Sequence, residues 1–528
     1  MDLLLQDSGV TFHALRIQTL ILVLILSATQ LNNVFLYKII SLDKFVSVDQ
    51  QTLAPFSLRS FLVPFPNSFV NEFHILNTNN LRPPFVLCSI HYVGIAIGIS
   101  LAVLYSRRIS PRTVLVLSCF GQAVVNAASA LTPFFWIFIA LRLLSGILIG
   151  IISWAAYSLI LDWSSIKNNS TAILHLRGFR FVGTIVEFGG LLLISHVQIV
   201  SWRLNLIVQS LAFAILTFCI LIAVRESPRW LRENGRWREF VALSRHFARE
   251  IGYNGRPILD QDLGEEVTLQ WPSKPNTKCE VWLLVVCYTI SAGLNVLTSF
   301  STPIPLSYDL ALLAGSQFVA YFFSLILHNQ PTISYVCITT FALISNVLCA
   351  FASLQFARLA LHQVSRVLAT LSEDLISCAI VSTFHSKLRR TKVVERRIRL
   401  LGINEIAASV LSRPIAIGFL LTFVQSQSEN QWLTSVVLCC GYSIAIALGL
   451  FLCCPVGRLR SDVTGSMYTI ESKTVGQHVR LDSKQQTSFF DPHSIPLIQR
   501  SAMKSRTEQQ STSELIIGLN GNEVDIEI

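Results

Sequence analysis

Apolar and polar positions in this chain do not follow the period of a soluble helix or strand. They come in long apolar runs separated by short polar connections. A helix needs about 20 mostly apolar residues to cross the hydrocarbon core of a bilayer. The pattern predicts twelve such spans, over 17–40, 85–105, 113–132, 134–161, 173–197, 203–224, 281–300, 309–328, 332–352, 358–385, 400–424 and 432–454. The run at 309–328 is flanked by Pro303, Pro305 and Pro331, and that at 358–385 carries Arg358, Arg366, Glu373 and Asp374. The opening run is too long for the core of a signal peptide and reads as the first span.

The connections alternate in charge. Arg107, Arg108 and Arg112 follow the second span, a string of arginines from Arg225 to Arg256 follows the sixth, and Lys387 to Arg399 follow the tenth. The connections at 132–133, 301–307 and 425–431 hold neither Lys nor Arg, and the stretch 41–84 holds only Lys44, Arg59 and Arg82. Basic connections stay on the cytosolic side, so both termini are expected in the cytosol, with the plasma membrane as the expected location. The expected organisation is an N-terminal segment 1–16, a six-helix half 17–224 with an extracellular loop 41–84, a central cytosolic stretch 225–280, a second six-helix half 281–454 and a disordered tail 455–528. The fold class predicted is therefore an all-α membrane protein of about twelve transmembrane helices in two halves. Within the central stretch, 237–251 reads as a short amphipathic helix.

Composition agrees. Of the 528 residues 52% are hydrophobic and only 14% charged, against about a quarter charged in soluble domains. The formal net charge of +10 sits in the connections, which points to membrane orientation and excludes a nucleic-acid groove. The twelve cysteines lie in or beside apolar runs and none in 41–84, so small buried side chains are expected and no extracellular disulfide framework.

The stretch 141–231 carries a specific likeness. Arg142-Leu-Leu-Ser-Gly146 with Gly150 opens the fourth span, and Ser153-Trp154-Ala-Ala-Tyr157 with Asp162 closes it. Ser201-Trp202-Arg203 opens the sixth, and Glu226-Ser227-Pro228-Arg229-Trp230-Leu231 follows it. This order, with Tyr288 and Gly293-Leu294-Asn295 in the seventh span, resembles the solute carrier 22 family of organic cation and anion transporters, within the major facilitator superfamily. The layout is similar over about 10–455, and the hexapeptide after the sixth span is its most specific element. The chain departs from the family in the loop after the second span, where Ser106-Arg107-Arg108-Ile109-Ser110-Pro111-Arg112 lacks the usual Asp and Gly, and after the eighth, where His328-Asn329-Gln330-Pro331 replaces a Gly-Arg-Arg.

Charges inside spans are costly and are candidates for function. Arg180 and Glu187 lie seven residues apart on nearly one helix face with Gly183 between them, which suits either a cavity wall or a structural pair. Arg177 is nearer the helix end and is expected to snorkel. Arg366, Glu373 and Asp374 are expected to form ion pairs within the protein. Glu405 and Arg413 share the eleventh span, where the family often places a charge that discriminates cations from anions; the matching position counts to Leu411, and Pro414 is expected to kink the helix. Trp154 and Tyr157 are three apart, and the resemblance implies a substrate cavity on their face, with Tyr288 and Asn295 as further candidates. Arg142, Asp162, Arg107, Arg108, Glu226 and Arg229 are candidates for gating or packing, Arg142 with the close-approach glycines Gly146 and Gly150. His91 and His362 have no metal-like partner spacing, and no metal or cofactor is expected.

No phosphate loop, metalloprotease motif or nucleophile elbow occurs, which argues against an enzyme. The expected function is secondary or facilitative transport of small organic ions by alternating access, cations slightly favoured. The alternative is a membrane protein that kept the fold for binding or regulation without transport. The expected partners are a small organic ion and the bilayer, with a weaker signal for a PDZ-type domain at the terminal Asp525-Ile-Glu-Ile528.

Overall fold

A computed structural model describes residues 18–29, 82–106, 108–164, 169–186, 189, 202–250, 278–300, 306–352, 355–382, 390–424 and 431–453. In chain order the helices are α1 (Gln18–Thr29), α2 (Arg82–Tyr105), α3 (Pro111–Leu131), α4 (Phe135–Trp163), α5 (Asn169–Gly178), α6 (Trp202–Ala223), α7 (Pro228–Glu233) and α8 (Trp237–Glu250). There follow α9 (Lys278–Phe300), α10 (Leu306–Leu327), α11 (Pro331–Phe351), α12 (Gln355–Ser382), α13 (Arg390–Ala407), α14 (Arg413–Val424) and α15 (Gln431–Cys453). α5 resumes over 180–186 after a turn at Phe179, and a π-helical turn at Ala408–Ser412 joins α13 to α14. Each of the twelve predicted spans thus has its helix, the two least regular ones included. The expected amphipathic piece is α8. The tail 455–528, with the C-terminal tetrapeptide, lies outside the described residues.

Among the described residues seven helices are long and apolar enough to cross a membrane, and α1, α2 and α10 hold shorter apolar stretches. α12, which carries Arg358, Arg366, Glu373 and Asp374, is not among the seven. Local chemistry sets several helix starts. Ser110 caps α3 by accepting from the Thr113 amide at 3.1 Å, with Pro111 at the first position, whose missing N–H costs nothing there. Ser227 and Pro228 repeat this device at α7, where the Trp230 amide donates to Ser227 Oγ at 3.1 Å.

The core is mainly apolar, yet it holds charged side chains as well. Arg142, Arg366 and Arg397 are buried, while Trp136, Phe218, Trp282, Phe351 and Phe451 point outward. Such a surface suits hydrocarbon, because lipid leaves buried polar groups only other protein groups as partners.

The packing repeats between halves. α2 pairs with α4 and α3 with α6; in the second half α10 pairs with α12 and α11 with α15. The halves meet along α5 with α10 and α12, and along α2 with α13 and α14. This is the two-fold arrangement expected from six spans plus six. α2 and α4 cross backbone to backbone: a Cβ on Gly146 would meet the His91 carbonyl, and one on Gly150 the Ile95 carbonyl.

Candidate functional site

A cavity opens where the halves meet. Its lining comes from α1, α2, α4 and α5 on one side, including Tyr92, Tyr157, Arg177 and Arg180, and from the second half on the other, including Asn295, Gln317, Glu373, Glu405 and Arg413.

Its floor is an ion network. Arg177 Nη2 lies 2.6 Å from Glu373, Nη1 3.0 Å from Glu405 and Nε 3.6 Å from Asp374. Arg180 pairs with Asp374 at 2.5 Å and with Glu373 at 3.2 Å. Arg413 pairs with Glu405 at 3.0 Å and approaches Glu373 to 3.7 Å. Tyr288 donates to Glu405 at 2.5 Å while accepting from Arg177 at 2.9 Å, and the Asn295 amide donates to Glu373 at 2.5 Å. Three guanidinium and three carboxylate groups therefore share one buried cluster. Burial of charge is tolerated only with such pairing, because the desolvation cost of each ion otherwise exceeds its Coulomb gain.

Helix geometry places the cluster. Arg177 is eight residues from the start of α5, Asp374 eight from the end of α12 and Tyr288 ten from the start of α9. At 1.5 Å per residue all lie about 12–15 Å below the same rim, near the middle of a bilayer core. The π turn brings in Arg413. In a regular α-helix residues eight apart are offset by about 80°; a π turn absorbs one residue, leaving an offset of about 20°. Glu405 and Arg413 thereby share a face, and Arg413 also donates to Ser409 at 3.1 Å. Leu411, the position reached by counting along the sequence, points outward.

Of the predicted site residues, the structure gathers Tyr157, Arg180, Tyr288, Asn295, Glu405 and Arg413 at the cavity or its floor. Trp154 is not among the cavity lining: it is buried in the core and its indole nitrogen has no hydrogen-bond partner. Glu187 and Arg107 lie outside the described residues, and Arg108 is exposed. The expectation that Arg177 snorkels is corrected, since it is the hub of the network. Glu373 and Asp374 do form ion pairs, chiefly with Arg177 and Arg180 of the opposite half. Arg366 differs: it donates to the Thr298 and Ser299 carbonyls at 3.0 and 2.6 Å, holding the end of α9. Tyr92, whose ring lies 5.7 Å from the Arg413 guanidinium, gave no sequence signal.

The other candidates form a second cluster at the end of α4. Ser227 donates to Asp162 at 2.5 Å, and Arg229 lies 2.8 Å from the same carboxylate and donates to Ser158 at 3.2 Å. Glu226 accepts from Ser110 at 3.1 Å and faces Arg112 at 3.9 Å. Arg112, beside the two expected arginines, thus makes the link. Arg142 is buried under Phe138, its guanidinium 4.9 Å from the ring, and its carbonyl sits 3.3 Å from His91 Nδ1. Among the described residues no cluster suited to a metal occurs.

Comparison with known proteins bears on the fold. Residues 63–301 fit the family model for "Sugar (and other) transporter". The fold aligns with the xylose transporter XylE from E. coli at a TM-score of 0.57, 14% identity, over 84% of this chain and 97% of that one. The chain has the major facilitator fold. The fold also aligns with that of the human organic anion transporter MFSD10 at a TM-score of 0.52, 14% identity, over 82% of this chain and 99% of that one. It is 23% identical over 244 residues to organic cation/carnitine transporter 2 of Arabidopsis thaliana, covering 46% of this chain and 43% of that protein. It is 31% identical over 173 residues to solute carrier family 22 member 15 of Xenopus tropicalis, 31% of each chain. The matches span less than half of these relatives, and the fourth to seventh spans fall within residues 63–301 that the family model matches.

Proposed function

We propose that the protein moves small organic ions across the membrane by alternating access, with the cavity between the halves as the substrate site. The observation that carries this reading is the buried ion network joining Arg177 and Arg180 of one half to Glu373, Asp374 and Glu405 of the other. A site that must open on either side needs contacts that break and remake between two rigid bodies, and ion pairs with two discrete partners serve that need. Charged lining also favours an ionic cargo over a sugar. The second reading, a fold kept only for binding, predicts ligand affinity without uptake.

The aromatic wall is the first test. Tyr157 lines the cavity and Trp154 packs behind it. Tyr157→Ala is expected to raise the apparent KM for a transported ion severalfold at unchanged surface expression. Trp154→Ala is expected to lower expression instead, since truncating a buried Trp costs about 3–5 kcal/mol. A raised KM in Trp154→Ala with Tyr157→Ala like wild type would assign the wall to the other residue.

The charge alternation supports both termini in the cytosol of a plasma-membrane protein. Glycosylation sequons engineered into 41–84 are expected to be used and one engineered into 256–278 is not. The reverse pattern overturns the orientation.

A further inference from the structure

Away from the cavity, the outer face of α6 ends in a cluster of arginines. Val208, Leu211, Ile215, Phe218 and Ile222 all point outward and follow one another at spacings of three and four. That spacing puts them on one helix face, an apolar stripe turned to the bilayer. The next position of the stripe is Arg225, exposed and just past the helix end. Apolar surface gives way to a guanidinium where acyl chains give way to headgroups.

The end of α6 is built around this residue. The Arg225 amide does not continue the helix but donates to Gln18 Oε1 of α1 at 3.3 Å. The Leu221 carbonyl, which that amide would meet in a longer helix, accepts instead from Arg112 Nη2 at 2.9 Å. The Arg225 side chain donates through Nη2 to His246 Nε2 of α8 at 3.1 Å. A guanidinium only donates, so the imidazole is the acceptor.

This contact fixes where α8 lies. Phe240 packs against Trp230 and Leu231 of α7, and α7 is tied to the end of α4 through Arg229 and Asp162. His246, six residues or about 9 Å further along α8, reaches the end of α6. α8 therefore runs level with the ends of α4 and α6 rather than away from them. It brings the exposed Arg245 beside Arg225.

The charges here are not balanced. Arg229 and Arg236 are taken up by Asp162 and Glu239. Glu226 faces Ser110 and Arg112. Arg112, Arg225 and Arg245 against Glu226, three charges against one, leave a net two positive at the end of α6. A helix C-terminus by itself repels anions, but Arg112 covers the Leu221 carbonyl.

We infer that this surface binds an anionic phospholipid, its acyl chains along the α6 stripe and its phosphate between Arg225 and Arg245. Phosphate oxygens accept charge-assisted hydrogen bonds from guanidinium groups. A zwitterionic phospholipid brings its own ammonium and leaves the two positive charges uncompensated. A soluble phosphate gains nothing from the stripe. In the orientation proposed above, this end of α6 meets the cytosolic leaflet, where anionic lipids give a negative surface. The site is separate from the cavity and independent of what the cavity carries.

The test is native mass spectrometry of the full chain in detergent micelles holding equal amounts of phosphatidylglycerol and phosphatidylcholine with the same acyl chains. The first lipid adduct is the readout. Micelles reach both ends of the bundle, so a wrong orientation would not change the result. One arginine at a membrane surface is worth about fivefold in affinity for an anionic lipid. The wild type is therefore expected to prefer phosphatidylglycerol by about 25-fold, and Arg225→Gln and Arg245→Gln each by about fivefold. The double variant is expected to show no preference. Arg358 lies in the first turn of α12, whose last turns meet the start of α5 beside the end of α4, so it marks the opposite end of the bundle. Arg358→Gln removes the same charge and is expected to behave as wild type. Melting checks each variant, and if one arginine variant fails to fold the other carries the test. Equal adducts of the two lipids on the wild type, or a preference that persists in both arginine variants, overturns the inference. So does an equal loss in Arg358→Gln, or displacement of phosphatidylglycerol by excess inorganic phosphate, which would make this a site for soluble anions.

Discussion

Arg177→Ala is expected to destabilise the protein by about 3–5 kcal/mol and to abolish uptake. The side chain is 5% exposed and touches all three carboxylates of the network. Its removal leaves Glu373, Asp374 and Glu405 to share two guanidinium groups, and breaking a buried pair by deleting one partner costs in this range because the other charge is stranded. Arg177→Lys is expected to recover stability only in part, since a point charge cannot reach carboxylates on α12 and α13 together with the Tyr288 hydroxyl. The double variant Arg177→Ala/Glu405→Ala removes one charge of each sign. It is expected to lose less than the sum of the single losses, by 0.5–3 kcal/mol as coupled neighbours do. Denaturation in detergent by chemical or thermal scan measures all four proteins. Strict additivity would show that the network is a set of independent contacts.

Gly146→Leu is expected to prevent assembly of the first half. α2 and α4 approach so closely there that even a methyl group would meet backbone, the His91 carbonyl among the atoms it would strike. Side chains can swing away from an added group, whereas two helix backbones must separate. Overpacking of this kind costs about 1–3 kcal/mol where neighbours can yield and more where they cannot. The displaced helices carry Tyr92 and Tyr157, so the cavity wall goes with them. Gly121→Ala is the control. A Cβ there meets only the Leu148 side chain, at 3.3 Å, and near-wild-type stability is expected. Size-exclusion profiles and melting of both proteins decide it; a monodisperse, stable Gly146→Leu protein would remove the close crossing.

The helices were legible because lipid imposes one rule on every span: length and low polarity. Boundaries moved by a few residues where local caps operate, as at Ser110–Pro111 and Ser227–Pro228. Arg229 shows how far a motif carries. Its place just after the sixth span was readable, but its partner Asp162 lies 67 positions away in the sequence. Arg177 was misread for the same reason. Its depth along α5 permits snorkelling, and only the carboxylates of α12 and α13, remote in sequence, make burial the better state. In the eleventh span a π turn brings Arg413 onto the face of Glu405, which no periodicity in Ala408–Ser412 announces. Trp154 and Tyr157 share a broad face, but one edge of it packs in the core and the other borders the cavity.

Purified protein reconstituted into liposomes, with uptake of labelled organic cations and organic anions followed over time, tests the central claim most directly. The account predicts saturable uptake of at least one of these, competed by its unlabelled form, retained in Gly121→Ala and absent in Arg177→Ala. Folded wild-type protein that takes up none of them, or an Arg177→Ala protein that transports at the wild-type rate, would contradict it.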